Sequence, residues 1–130
     1  MNLISSQLET NTWSKCQSQG DEPLFGRHGH SACEYRKTLI IFGGEQLFND
    51  IINVRDCLDD TRIFVPERSE WKRIFSPGSQ MTARRYHTAV VQNKAMYVYG
   101  GINKEGIYLK DLWCLQLSNI FGEEKSLFVN

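Results

Sequence analysis

The sequence lacks most of what would point to a particular chemistry. No apolar run approaches the ~18 residues that span a bilayer, so no membrane insertion is expected. The first thirteen residues have neither a basic n-region nor an apolar h-region, so they do not read as a signal peptide. Charge of one sign is missing too: fifteen Lys and Arg balance fifteen Asp and Glu. That balance removes the electrostatic case for nucleic acid or an anionic membrane. It also gives little protection against self-association. The four cysteines, Cys16, Cys33, Cys57 and Cys114, form no CxxC pair, and no Asn-x-Ser/Thr sequon occurs. Together these favour a reducing, cytoplasmic setting in which free cysteines act as small buried hydrophobes, although an even count also permits two disulfides. There is no GxxxxGK[ST] phosphate loop, no Ser/His/Asp order, no paired-acid motif and no nucleotide fingerprint. At 130 residues with a 41% hydrophobic share, the chain is one domain or less, and it is not disordered by composition.

What is present is one stretch written twice. Residues 27–44 read RHGHSACEYRKTLIIFGG, and residues 84–101 read RRYHTAVVQNKAMYVYGG. Arg27 and Arg84, His30 and His87, and Gly43 and Gly100 are each 57 residues apart (84 − 27, 87 − 30, 100 − 43). A single offset shared by three landmarks is an internal repeat. Trp13 and Trp71 match at 58, and Asp60 and Asp111 at 51, so the first copy carries six extra residues after its Gly-Gly.

Around these landmarks the chain reads as short strands. Residues 1–16 carry a weak alternating signal, then a turn leading into a short strand at Trp13, and look like the end of a preceding unit. Residues 17–26, with Gly20, Pro23 and Gly26, read as a loop. Strands are expected at about 29–34 and 38–42, with a polar turn between them. The second is apolar on both faces, as suits a strand covered on both sides. Residues 45–59 are a long variable piece, apolar for a loop. Strands follow at 60–65 and 71–75. In the second copy strands are expected at 88–91, 96–99 and 109–117, separated by loops at 76–83 and 102–108. Residues 118–130 have no tryptophan to lead a fourth strand, which is therefore cut short or absent.

Arg-x-x-His-[Ser/Thr]-Ala, an apolar run into Gly-Gly, an Asp-led third strand and a Trp-led fourth strand resemble the kelch repeat. The likeness extends from about residue 3 to residue 117. It implies an all-β fold of β-propeller blades, each a four-stranded antiparallel sheet. About two blades are present, an incomplete ring. Residues 1–16 would be the last strands of a preceding blade, 17–75 one repeat with its insertion at 45–59, 76–117 a second repeat, and 118–130 a truncated outer strand. A fragment of a larger propeller is the favoured reading. Assembly with further copies, and a composite blade joining residues 1–16 to 109–117, are the alternatives.

The repeated residues Arg27, His30, Gly43, Gly44, Asp60, Trp71, Arg84, His87, Gly100, Gly101, Asp111 and Trp13 are expected to serve the blades. The arginines would do so by bridging to an acid, the one in view being on an adjacent blade. Cys16, His28, His30 and Cys33 do not have zinc-module spacing, so no metal and no cofactor are expected. Arg85, Tyr86 and His28 lack a repeated counterpart and precede the inner strands. With Phe48, Ile51, Asn103 and Tyr108 they are the candidates for binding a partner. The resemblance implies a non-catalytic adaptor or scaffold that binds a protein of unknown identity, with self-association through unpaired blade faces. The alternative is part of a kelch-propeller enzyme, a copper oxidase or a sugar epimerase. Tyr86 and His87 are adjacent and point to opposite strand faces, which speaks against a shared metal.

Overall fold

A computed structural model describes residues 11–49, 54–75 and 81–118. They form β-strands and one 3-10 turn. The strands are β1 (Gln19–Gly20), β2 (Ser31–Tyr35), β3 (Thr38–Phe42), β4 (Glu45–Asn49), β5 (Val54–Cys57), β6 (Thr61–Val65), β7 (Glu70–Ile74), β8 (Thr88–Gln92), β9 (Ala95–Ile102) and β10 (Tyr108–Gln116). One sheet has the order β1-β7-β6-β3-β2, a second β10-β9-β8, and β4-β5 is a hairpin of its own.

The first blade is the antiparallel meander β2-β3-β6-β7. Its first turn is made by Arg36 and Lys37, both at positive φ, the twist that a two-residue hairpin needs. Asn93, also at positive φ, begins the matching turn between β8 and β9. Strand pairing puts Ile40 opposite Ile63 and Phe64 opposite Trp71. Ile40 and Ile63 therefore share one face, and the rings of Phe64 and Trp71 meet at 5.1 Å on the other.

The core lies between the two sheets. Tyr35, Ile40, Phe42 and Ile63 of the first blade pack with Met96, Val98 and Leu117 of the second. Each such side chain contributes roughly 1.5–3 kcal/mol on burial. The blades therefore stabilise one another, since neither sheet has a second layer of its own within the described residues.

The structure departs from the sequence reading in four places. Residues 45–59 are not a loop: 45–49 and 54–57 pair as β4 and β5, with an irregularity between Leu47 and Asn49. The loop at 17–26 contains β1, which adds parallel to β7 at the outer edge. β9 does not stop before its paired glycines but continues to Ile102, so β9 and β10 form a long hairpin. The strand expected at Trp13 is absent, since residues 11–18 form none and Trp13 is fully exposed. The physical reason is the lack of a neighbour: Trp71 has Phe64 on an adjacent strand, and no strand flanks Trp13 among the described residues. The expected strand ends at 1–10 and 119–130 lie outside the described residues.

Candidate protein-binding face

Each blade holds its Gly-Gly turn with one arginine. Arg27 donates to Gly43 O at 3.1 Å and to both carboxylate oxygens of Asp60, at 2.8 and 3.0 Å. Arg84 repeats the arrangement with Gly100 O at 2.9 Å and Asp111 at 2.8 and 3.0 Å. The acid belongs to the arginine's own blade, not to an adjacent one. Asp60, just before β6, and Asp111, within β10, each lie across the sheet from the first glycine of the Gly-Gly pair, so one planar guanidinium reaches both carboxylate and carbonyl. A further donor sits two residues after each acid. Arg62 Nε reaches Asp60 at 2.9 Å, and Trp113 Nε1 reaches Asp111 at 2.6 Å. These two residue types differ, so the equivalence does not show in the sequence, although the spacing of two does. Burial alone would raise Asp60, but hydrogen bonds from Arg27 and Arg62 outweigh it and hold its carboxyl below the usual range. Arg84, followed by Trp113, holds Asp111 well below that range against a smaller opposing effect of burial.

His87 sits buried between the blades. Its Nε2 lies 2.9 Å from Ser31 Oγ, and its ring meets Phe42 edge-on at 5.1 Å. Burial, with the Arg84 charge second, lowers it to about 4. His30 holds the same place in the first blade but is exposed. All four cysteines are unpaired. Among the described residues no three His, Cys, Asp or Glu side chains lie close enough to hold a metal ion.

The residues before the inner strands and after the Gly-Gly turns meet at one end of the blades. His28 bridges Glu45, and Arg85 bridges Ile102, through paired backbone hydrogen bonds of 2.8 and 3.0 Å in each case. The two bridges are equivalent, because Ile102 stands 57 residues after Glu45 and Arg85 stands 57 after His28. The Glu45 carboxylate gathers three side chains: His28 Nε2 at 3.1 Å, Arg55 at 3.4 Å and Arg85 at 3.5 Å. Arg85 also donates to Asn103 O at 3.2 Å. Asn103 shapes its own turn, accepting Ile107 N at its side-chain oxygen, 2.9 Å away. Lys104 reaches Asp56 of β5 at 3.6 Å, so the inserted hairpin faces the second blade's loop.

Tyr86 stands on this rim. Its backbone is at φ 58, its N–H donates to Gly29 O at 2.8 Å, and its ring lies 5.9 Å from that of His28. It is 57% exposed, and Tyr108, opposite Ile102 in the strand register, is 81% exposed. The structure thus brings together His28, Arg85, Tyr86 and Asn103, with Tyr108 one strand away. Ile51 lies outside the described residues, as does the side chain of Phe48, whose backbone is in β4. Tyr86 and His87 diverge, one to the rim and one between the blades. Sequence reasoning missed Glu45, Arg55 and Lys104. Their only signal was charge inside an otherwise apolar insertion and beside the second Gly-Gly.

The family model described as the KLHDC2/KLHL20/DRC7 Kelch-repeats domain matches residues 1–123. Kelch domain-containing protein 3 of Bos taurus is 35% identical over 100 residues, which cover 76% of this chain and 24% of that protein. An F-box/kelch-repeat protein of Arabidopsis thaliana is 32% identical over 119 residues, covering 85% and 23%. The solved structure of YjhT matches with a TM-score of 0.58 at 17% identity, covering 72% of this chain and 29% of that one, a likeness of fold. The chain spans about a quarter of the length of these two relatives.

Proposed function

The chain belongs to the kelch-repeat family, and from that premise we propose that it acts as a non-catalytic protein-interaction module, one sector of a larger propeller. Its rim binds a protein segment in a reducing compartment such as the cytoplasm, in the manner of an adaptor or scaffold. The observation that carries this reading is Tyr86. An aromatic residue is kept in the left-handed region, a costly backbone conformation for a side chain of this size, and its ring is nevertheless left largely in water. Beside it, Arg85 is oriented by Glu45 and Asn103, and Tyr108 adds a second exposed ring. Exposed tyrosines with an oriented arginine are the residue types that dominate protein interfaces.

The test is affinity capture with the wild type and with Arg85→Ala and Tyr86→Ala. A partner held through the rim should lose at least about tenfold in binding to either variant, while the far-ultraviolet circular dichroism stays unchanged. Equal capture by all three proteins rejects the rim. Stoichiometric copper or zinc in the purified protein would overturn the non-catalytic reading.

A further inference from the structure

The two blades are joined by a plug and a socket, and the chain carries a second copy of each. Residues 84–87 are the plug that is seated. Gly44 N donates to Arg84 O at 2.8 Å, Arg84 N to Leu58 O at 3.1 Å, and Tyr86 N to Gly29 O at 2.8 Å. His87 reaches Ser31 Oγ and lies against Phe42. The socket requires glycine. A Cβ added at Gly43 would lie 2.8 Å from Arg84 O and 2.9 Å from His87 Cε1.

The second socket has the same backbone. Gly100 and Gly101 are at φ 69 and 100, against 69 and 99 for Gly43 and Gly44. Leu109 stands where Leu58 stands, Thr88 where Ser31 does, and Tyr99 where Phe42 does. Thus a carbonyl, a hydroxyl and an aromatic ring recur. Among the described residues, however, an added Cβ at Gly100 meets only Leu109 O, at 3.2 Å. The sheet face beside it is apolar and open: Val90 is 57% exposed, Tyr99 52% and Leu112 65%.

The matching plug, Arg27 to His30, is in the same condition. His30 is exposed where His87 is buried. Behind it, Ala32, Leu39 and Ile41 occupy the positions that Ala89, Met96 and Val98 use to pack on the first blade. These are the residues that a blade presents to the socket before it.

We infer that the Gly100–Gly101 socket takes the Arg27–His30 plug of a second copy of this chain, so that copies pack head to tail. The contact reuses a geometry that the chain already makes once within itself. Arg27 O and N then replace those of Arg84, and His30 reaches the Thr88 hydroxyl and the Tyr99 ring. Such a contact is heterologous, and it closes into a ring when the rotation between blades completes a turn. It lies between blade faces rather than on the rim, so its failure leaves the partner-binding reading standing.

The test is light scattering on the full chain across a range of concentrations, with a mass that is a multiple of the 15.0 kDa protomer expected. His30→Asp breaks the plug and Tyr99→Asp breaks the socket, and each variant alone should run as the single protomer. Mixed in equal amounts they should recover a species of two protomers, because one sound plug and one sound socket remain. If an aspartate unfolds the chain, Thr88→Val supplies the socket test, weakening association by up to about tenfold through one lost hydrogen bond. A wild type that is monomeric at every concentration overturns the inference. So does a folded variant with unchanged mass, or a mixture of folded variants that stays monomeric.

Discussion

Arg84 and His87 show how far a single residue's role depends on what surrounds it. Arg84 is fully buried, and its guanidinium is shared between Asp111 and the Gly100 carbonyl. Arg84→Met should cost about 3 kcal/mol, the lower end for breaking a pair of this kind, because Asp111 retains partial access to water. Chemical denaturation measures it, and a loss below 1 kcal/mol would count against the lock. His87 gives the pH dependence. Its folded value of about 4 lies below its ordinary 6.5, so the unfolded chain binds the proton more readily. Stability is therefore complete above about pH 6.5 and falls as pH drops toward 4, by up to about 3 kcal/mol. Asp60 and Asp111 act in a lower window. Their depressed values leave their contribution intact above about pH 4, and it is lost in stronger acid. His87→Gln should flatten the profile between pH 6.5 and 4 in urea titrations, and an unchanged slope would show that another group titrates there. The importance of both residues was legible from their recurrence. Their partners were not, because a hydrogen-bond partner across a sheet is set by strand register and not by spacing along the chain.

At the scale of the element, the strands with a repeated counterpart were readable, and β1, β4 and β5 were not. β1 is Gln19–Gly20, two residues with no strand preference of their own. It exists because Gln19 N finds Ser69 O at 3.1 Å and Asp21 N finds Trp71 O at 2.9 Å. The Asp21 carboxylate accepts Arg73 N at 3.1 Å, and Arg62 donates to Asp21 O at 2.7 Å. Together these cover the outer edge of the first blade, where unpaired backbone would otherwise invite another strand. Asp21→Ala should therefore cost about 1 kcal/mol and speed hydrogen exchange in β7, with β2 and β3 unaffected. Uniform exchange across the blade would show that β1 is not a separate clip. The hairpin β4-β5 escaped the sequence because its residues do not alternate cleanly, and its irregularity between Leu47 and Asn49 breaks the period of two. Its function is also unreadable in isolation. Glu45 matters because His28, Arg55 and Arg85 come to it from three separate segments.

For the molecule as a whole, the core among the described residues is the seam between blades, and the outer blade faces carry residues at the same repeat positions as those that make that seam. If copies associate through those faces, the melting temperature rises with protein concentration by mass action. A melting temperature constant over a hundredfold range would argue for a self-contained pair of blades. The sequence alone determined the repeat, the family and the blade strands, since these rest on local patterns: apolar runs, paired glycines and landmarks at one offset. That each arginine locks its own blade, that the insertion pairs as a hairpin, and that His28, Arg85, Tyr86 and Asn103 share a rim emerges from the folded chain and from nothing shorter. The reason is that such contacts join residues distant along the chain, and the register and packing that bring them together become definite only once the two sheets have docked.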